Sequence, residues 1–309
     1  MSFTLFLLVI FCALSELAAS EFEFTYNGFK SANMSVDGLS KLTSNGLLKL
    51  TNSTAQKTGH AFNPNPINFK NNSDGPAYSF STCFVFAVVP EYPTLGGHGL
   101  AFVMEPTKGL PGGLPSHYIG LFSDKNNGNI TNHVVAVEFD TILSREFEDI
   151  NDNHVGININ QMKSEVSKPA GYYVSNDRPF QNLTLISGQI MQAWVEYDAA
   201  SKQIHVTLAP IAAAKPNTPL LSLSYDLSRI IKETMYIGFS SATGSVASSH
   251  YVLGWSFKIN GMAAGLDISK LPKLPRIGPK KVSRLLSIGL PVILVVIIFY
   301  VYIVDVEPA

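Results

Sequence analysis

The 309-residue chain carries 22 Lys and Arg against 23 Asp and Glu, a formal net charge of -1, and only 15% charged residues. That balance leaves no clustered excess of cations to neutralise phosphates, which excludes nucleic acid as the partner. The mean hydropathy of +0.17 is high for a soluble domain, and an apolar block at each end of the chain supplies much of it.

The first block, Phe3 to Leu14, has the length of a signal-peptide core, and Ala18-Ala19-Ser20 offers small residues where a signal peptidase reads. Residues 1–20 are therefore expected to be a signal peptide. Its removal takes Cys12 with it and leaves Cys83 alone in the mature chain. An exported domain without disulfides must stabilise itself by core burial, and about 240 residues suffice. Cys83 lies in the apolar run Tyr78–Phe86 and reads as a buried strand residue. Five Asn-x-Ser/Thr acceptors, Asn33, Asn52, Asn71, Asn129 and Asn182, argue for a glycosylated surface.

From residue 21 to 262 short β-runs alternate with turn clusters. The runs are 79–89, 99–104, 134–139, 155–159, 193–197, 203–208, 235–240 and 252–259, with turns such as Asn71–Pro76 and Lys125–Asn129 between them. Only 227–234 reads as helical. One all-β sandwich or jelly roll over 21–262 is the economical fold. Residues 263–284 are rich in Pro and Lys and read as a juxtamembrane linker. Leu285 to Ile303 is free of charge and, at a 1.5 Å rise, spans about 28 Å as a transmembrane helix. A short tail, 304–309, follows. The bias of Lys280, Lys281 and Arg284 would place the preceding flank inside, but the signal peptide commits the domain to the outside. A GPI-anchor signal is the rival, and its small-residue cluster, Ala263–Gly265, lies far upstream of the apolar run.

The chemistry concentrates in Val137–His154. Glu138 and Asp140 stand two apart on a strand, so both carboxylates leave the same face. Asp149 returns from a loop and His154 opens the next strand. Three carboxylates and an imidazole suit Mn²⁺, and loop oxygens suit Ca²⁺. An ordinary acidic loop with a strand-capping His is the alternative.

The spacing Glu-x-Asp, then nine residues to Asp and five to His, is similar to the metal loop of the legume lectins. The resemblance continues through Gly97–Val103, His117–Phe122, Gln192–Asp198, Tyr236–Gly244 and His250–Phe257. With Leu271–Arg276 and the apolar span, the chain resembles the ectodomain and membrane span of plant L-type lectin receptor kinases, without the kinase. The resemblance implies a legume-lectin-type jelly-roll sandwich. It implies Glu138, Asp140, Asp149 and His154 around Mn²⁺. It further implies Asp140, Asp149, the carbonyl of Ile142 and the side chain of Ser144 around Ca²⁺. The four sugar-gripping positions of the family fall on His98, His117, Ser144 and Ile142, and all four are substituted. A single His cannot accept two hydroxyl protons as a carboxylate does, so weak or altered hexose binding is expected.

The expected protein is a non-enzymatic, glycan-binding recognition module, single-pass in the plasma membrane with its lectin domain outside. The alternative is a kinase-less co-receptor or decoy that recognises protein or peptide ligands, working with a receptor-like kinase partner or as a homodimer. Glycoside hydrolysis needs a second carboxylate on the strand face about four residues after the first, where Ile142 and Leu143 stand.

Overall fold

The computed structural model describes residues 22–174 and 179–275. In chain order the strands are β1 (Glu23–Tyr26), β2 (Ser35–Gly38), β3 (Lys41–Leu42), β4 (Leu48–Lys49), β5 (Thr58–Phe62) and β6 (Ile67–Asn68). There follow β7 (Phe80–Pro90), β8 (Gly99–Glu105), β9 (Val135–Asp140), β10 (His154–Ile159), β11 (Ser164–Pro169) and β12 (Gly171–Tyr173). The last six are β13 (Phe180–Asn182), β14 (Met191–Asp198), β15 (Gln203–Pro210), β16 (Leu221–Ser224), β17 (Thr234–Ala242) and β18 (Ser248–Ile259).

Two antiparallel sheets face one another. Sheet I runs β16-β15-β14-β7-β18-β4-β3, with β1 also on β18. Sheet II runs β11-β10-β9-β8-β17-β5-β2, with β6 also on β17. The expectation of an all-β sandwich is met, and each of the eight expected runs overlaps a strand.

Alternation decides which residues fill the space between the sheets. Leu100, Phe102 and Met104 of β8, Val135, Val137 and Phe139 of β9, and Met235, Ile237 and Phe239 of β17 all point inward. From sheet I, Phe84, Phe86, Trp255 and Phe257 meet them. The rings lock edge to face: Phe239 lies 4.9 Å from Trp255 and 5.2 Å from Phe84, centroid to centroid. Trp255 is fully buried, and its Nε1 donates to Thr82 Oγ1 at 2.9 Å, so the indole leaves no orphan donor.

The alternate residues of these strands form two further apolar clusters, which explains why β7, β8 and β9 are buried on both faces. On the outer side of sheet II, Ala101, Val103 and Ala136 are covered by Ile119, Leu121 and Phe122 from the loop before β9. On the outer side of sheet I, Cys83, Val85 and Leu253 are covered by Leu266 and Leu271. Cys83 is buried as expected, and burial pushes its thiol up to about 11.

Two expectations change. The segment 227–234 is not a helix: only Leu227–Arg229 forms a single 3₁₀ turn, capped by Asp226, and Thr234 already begins β17. The stretch from 263, read by composition as a linker, packs on the domain as far as Leu274. Ser256 Oγ donates to the Ala264 carbonyl at 2.6 Å, the Asp267 N–H to Asn27 Oδ1 at 2.7 Å, and Asn45 Nδ2 to the Lys273 carbonyl at 3.0 Å. Among the described residues no helix is long and apolar enough to cross a membrane. The expected signal peptide, 1–20, and the expected span, 285–303, lie outside them.

Candidate functional site

The face of sheet II that carries Ala136 also carries Glu138 and Asp140, because the three alternate with the inward Val135, Val137 and Phe139. On β10 the same alternation turns His154, Gly156 and Asn158 outward. The register sets His154 opposite Asp140 and Gly156 opposite Glu138. Gly156 is needed there: a Cβ would stand 2.7 Å from Glu138 Oε1 and 2.0 Å from Ser164 Oγ. The space it leaves lets Ser164 Oγ donate to Glu138 Oε1 at 2.7 Å and Asn158 Nδ2 to Oε2 at 3.0 Å.

The loop from Thr141 to Asn153 then folds back over these carboxylates. The Ser144 N–H donates to Asp149 Oδ2 at 2.7 Å, and a 3₁₀ turn at Arg145–Phe147 buries Phe147. His154 Nδ1 donates to the Asn151 carbonyl at 2.9 Å, which fixes the ring and directs Nε2 toward Glu138 Oε1 at 3.5 Å and Asp149 Oδ1 at 3.8 Å. Donor atoms of Glu138, Asp149 and His154 all lie within 4.8 Å of one another. Asp140 is not in that trio; its Oδ1 accepts from the Ile142 N–H at 2.8 Å.

The electrostatics fit a cation. Burial, then the Glu138 charge, raises the Asp140 carboxyl well above the ordinary range, and burial also raises Asp149. Burial opposes charge on His154, but the Glu138, Asp140 and Asp149 carboxylates outweigh it and lift the imidazole to about 9. Excess carboxylate packed around an oriented imidazole is a donor set suited to a divalent ion such as Mn²⁺. Asn158, Ser164 and Gly156 escaped the sequence reading. For Gly156 and Asn158 the signal was available in the alternation of β10 opposite Glu138, whereas Ser164 comes from β11, paired with Asn158.

The four residues expected at the sugar positions, His98, His117, Ile142 and Ser144, lie at the adjoining end of the sandwich. Phe147 packs against the rings of His117 and Tyr118 at 5.3 and 5.4 Å, and His117 Nδ1 lies 3.1 Å from Glu146 Oε1. The His98 carbonyl accepts from the Thr141 N–H at 2.8 Å, next to Ile142. His98 sits at φ 66°, with its Nδ1 buried and unpartnered. Burial and the neighbouring His117 hold its pKa down to about 4, so the ring is neutral. Ser144 is buried and Ile142 half-buried, while Leu143 is exposed. Of the acceptor asparagines, Asn33, Asn71, Asn129 and Asn182 are exposed and Asn52 is half-buried.

Two twisted antiparallel sheets, with an acidic, His-containing loop beside a shallow polar end, define a jelly-roll sandwich of the lectin class. The legume lectin domain family matches residues 21–273. L-type lectin-domain containing receptor kinase IV.2 of Arabidopsis thaliana is 52% identical over 297 residues, 96% of this chain and 44% of that protein. Among solved structures, lectin II from Ulex europaeus superposes with a TM-score of 0.65 at 27% identity, covering 78% of this chain and 99% of that one. Peanut lectin with a 9mer peptide gives 0.65 at 25% identity, covering 78% and 98%. This chain belongs to the legume lectin family, and it spans less than half the length of the receptor kinase it matches.

Proposed function

We propose that the chain is a membrane-anchored, extracellular recognition module that binds glycans with a specificity altered from that of the soluble lectins. The observation that carries this reading is the pairing of an intact acidic trio, Glu138, Asp149 and His154, with substituted sugar positions at His98, His117, Ile142 and Ser144. Mn²⁺ would be held by the trio with Asp140 behind it. Ca²⁺ would take Asp140, Asp149, the Ile142 carbonyl and Ser144 on the loop side. Both ions would serve to fix the 141–153 loop, and with it the shape of the sugar-facing end. No bond is made or broken by such a site, in keeping with a lectin and not an enzyme.

The neutral His98 supplies one acceptor or one donor where the family uses a carboxylate, so a pyranose is held by fewer hydrogen bonds. The test is a glycan array probed with the purified chain in Ca²⁺ and Mn²⁺ and again in EDTA. Metal-dependent binding to one glycan class supports the reading, and a blank array from folded protein overturns it.

A second reading follows from the rim of the same end. Tyr92, Leu95 and Leu143 are exposed at 49%, 50% and 42%, an apolar set better suited to peptide side chains than to hydroxyls. The peanut lectin structure holds a 9mer peptide. Under this reading the chain recognises a protein ligand, alone or beside a receptor-like kinase, and the blank array is its expected result.

A further inference from the structure

A second concavity lies at the opposite end of the sandwich. On β17, Ala242 pairs with Gly99 beside the sugar positions, whereas Thr234 pairs with Asn68 at the far end. There a cavity of about 490 Å³ opens between the turn after β6, the 228–234 segment and His133. A volume of that size holds a small solute.

Its lining is cationic. Lys70 is only 6% exposed, and its ammonium donates to the carbonyls of Ser228 at 2.6 Å and Ser73 at 3.3 Å. Both partners are neutral, one of the three ammonium protons remains, and no carboxylate lies within 4.0 Å of Nζ among the described residues. A buried charge without a counter-ion is costly, and an anion from solution is the direct remedy. Arg229 is exposed and holds Asp226 only at 4.0 Å, because that carboxylate is already taken by Lys202 at 2.7 Å. Lys232 is exposed and pairs with no carboxylate among the described residues. His133 donates from Nδ1 to the Ile230 carbonyl at 2.7 Å, which leaves Nε2 for a further partner. Glu233 is the single acid on the lining, set against Lys70, Arg229 and Lys232.

The fold builds this convergence on purpose-made contacts. Asp226 caps the 3₁₀ turn through the Ser228 N–H, and Ser228 Oγ accepts from the Ala77 N–H at 2.9 Å, tying that turn to the 70–77 loop. The Lys70 ammonium is thereby pinned at the floor, with the exposed Arg229 and Lys232 at the rim. We propose that this cavity is an anion-binding site for a compact oxyanion, either a free tetrahedral ion or a carboxylate or sulfate carried on a sugar. The site is separate from the acidic loop and independent of the glycan-recognition reading.

The test is calorimetric titration of the purified chain with inorganic phosphate, sulfate and glucuronate, against glucose, at constant ionic strength in chloride. Saturable binding of the anions and none of glucose is expected. Phosphate and sulfate without glucuronate identifies a free-ion site, and glucuronate as the tightest of the three identifies a sugar-borne carboxylate. R229Q/K232Q alters only exposed side chains and should weaken binding by roughly tenfold, the worth of one or two charge-assisted hydrogen bonds. K70M should abolish it, and E233Q should tighten it. Absence of saturable binding with all three anions overturns the proposal, as does unchanged affinity in R229Q/K232Q.

Discussion

Nε2 of His154 stands 3.5 Å from Oε1 of Glu138, with both side chains 1% exposed. Since Nδ1 is committed to the Asn151 carbonyl, the Nε2 lone pair has one place to go, and either a proton or a metal ion takes it. Without an ion the site holds buried carboxylates in mutual repulsion. An ion that binds the folded chain but not the unfolded one stabilises it by about 2.7 kcal/mol at a hundredfold excess over Kd. Added Mn²⁺ and Ca²⁺ should therefore raise Tm, and H154Q should lose most of that increase. A Tm indifferent to both ions and to EDTA would assign the loop a purely structural part.

The sugar-facing end should respond to restoration. Under the proposed reading, H98D/H117G/S144N places at three of the four substituted positions the Asp, Gly and Asn that the family resemblance implies for gripping a monosaccharide. We expect this variant to gain metal-dependent hexose binding that the wild-type chain lacks or shows weakly. Each bidentate or charge-assisted contact regained contributes about 1.5–3 kcal/mol. Frontal affinity chromatography on immobilised galactose and mannose measures it. Identical retention of variant and wild type would place the loss of affinity outside these positions.

A third expectation concerns pH. Glu105 is fully buried at the end of β8, and burial pushes its carboxyl from the ordinary 4.5 up to about 8 against the opposing pull of His60 and of the Gly109 and Leu110 backbone. The folded chain then keeps a proton that the unfolded chain releases. Its contribution is present in full below about 4.5 and is lost as pH rises toward 8, with a slope of at most about 1.4 kcal/mol per unit. His60 adds in the same direction. Burial opposes its charge, but hydrogen bonds to Asp37 at 2.7 Å and the Gly120 carbonyl at 3.0 Å raise its pKa, so its stabilisation fades above 6.5. E105Q should flatten most of the decline between pH 4.5 and 8 and leave the part of the His60 share that Asp37 and the Gly120 carbonyl supply. Chemical denaturation across that range gives the two slopes, and parallel curves would refute the assignment.

The 263–274 segment provides a fourth. Leu271 lies so close to β18 that a Cβ on Gly254 would meet its Cδ2 at 2.6 Å, and Leu266 is 9% exposed. Truncation after Met262 uncovers Val85, Leu253 and Trp194 on sheet I. L266A/L271A should cost about 2–5 kcal/mol for each well-buried leucine at most, and less for the half-exposed Leu271. Equal urea midpoints for the truncated and longer chains would show that the segment contributes nothing.

The strands that build the core were readable because alternation and apolar runs leave a direct trace, as in Val135–Asp140 and Gln203–Pro210. Residue chemistry alone left Glu138, Asp149 and His154 open between a metal loop and an ordinary acidic loop, and the resemblance of their spacing to the legume lectin metal loop singled them out. The reading failed where composition misled. Leu271-Pro272-Lys273-Leu274-Pro275 has the residue content of a linker, yet its leucines are spaced to rest on a sheet. Leu227–Glu233 has helical content, but the turn that Asp226 caps ends at Ile230 and β17 captures the chain from Thr234. The cavity around Lys70 left no trace at all, since its cations come from residues 70, 229 and 232 and meet only through the register of β6 on β17.

The way residues 263–274 leave the sheet has a mechanical consequence. They join sheet I through side chains and a few separate hydrogen bonds, not through a ladder. A pull on the chain beyond Leu274 would therefore meet the Lys273, Asp267 and Ala264 contacts one after another, as a strip is peeled. Only after the last of them would the load reach β18, whose twelve residues are held in shear along β7. Under tension the domain would lengthen in small steps while its sandwich, and the end that carries the 141–153 loop, stayed folded.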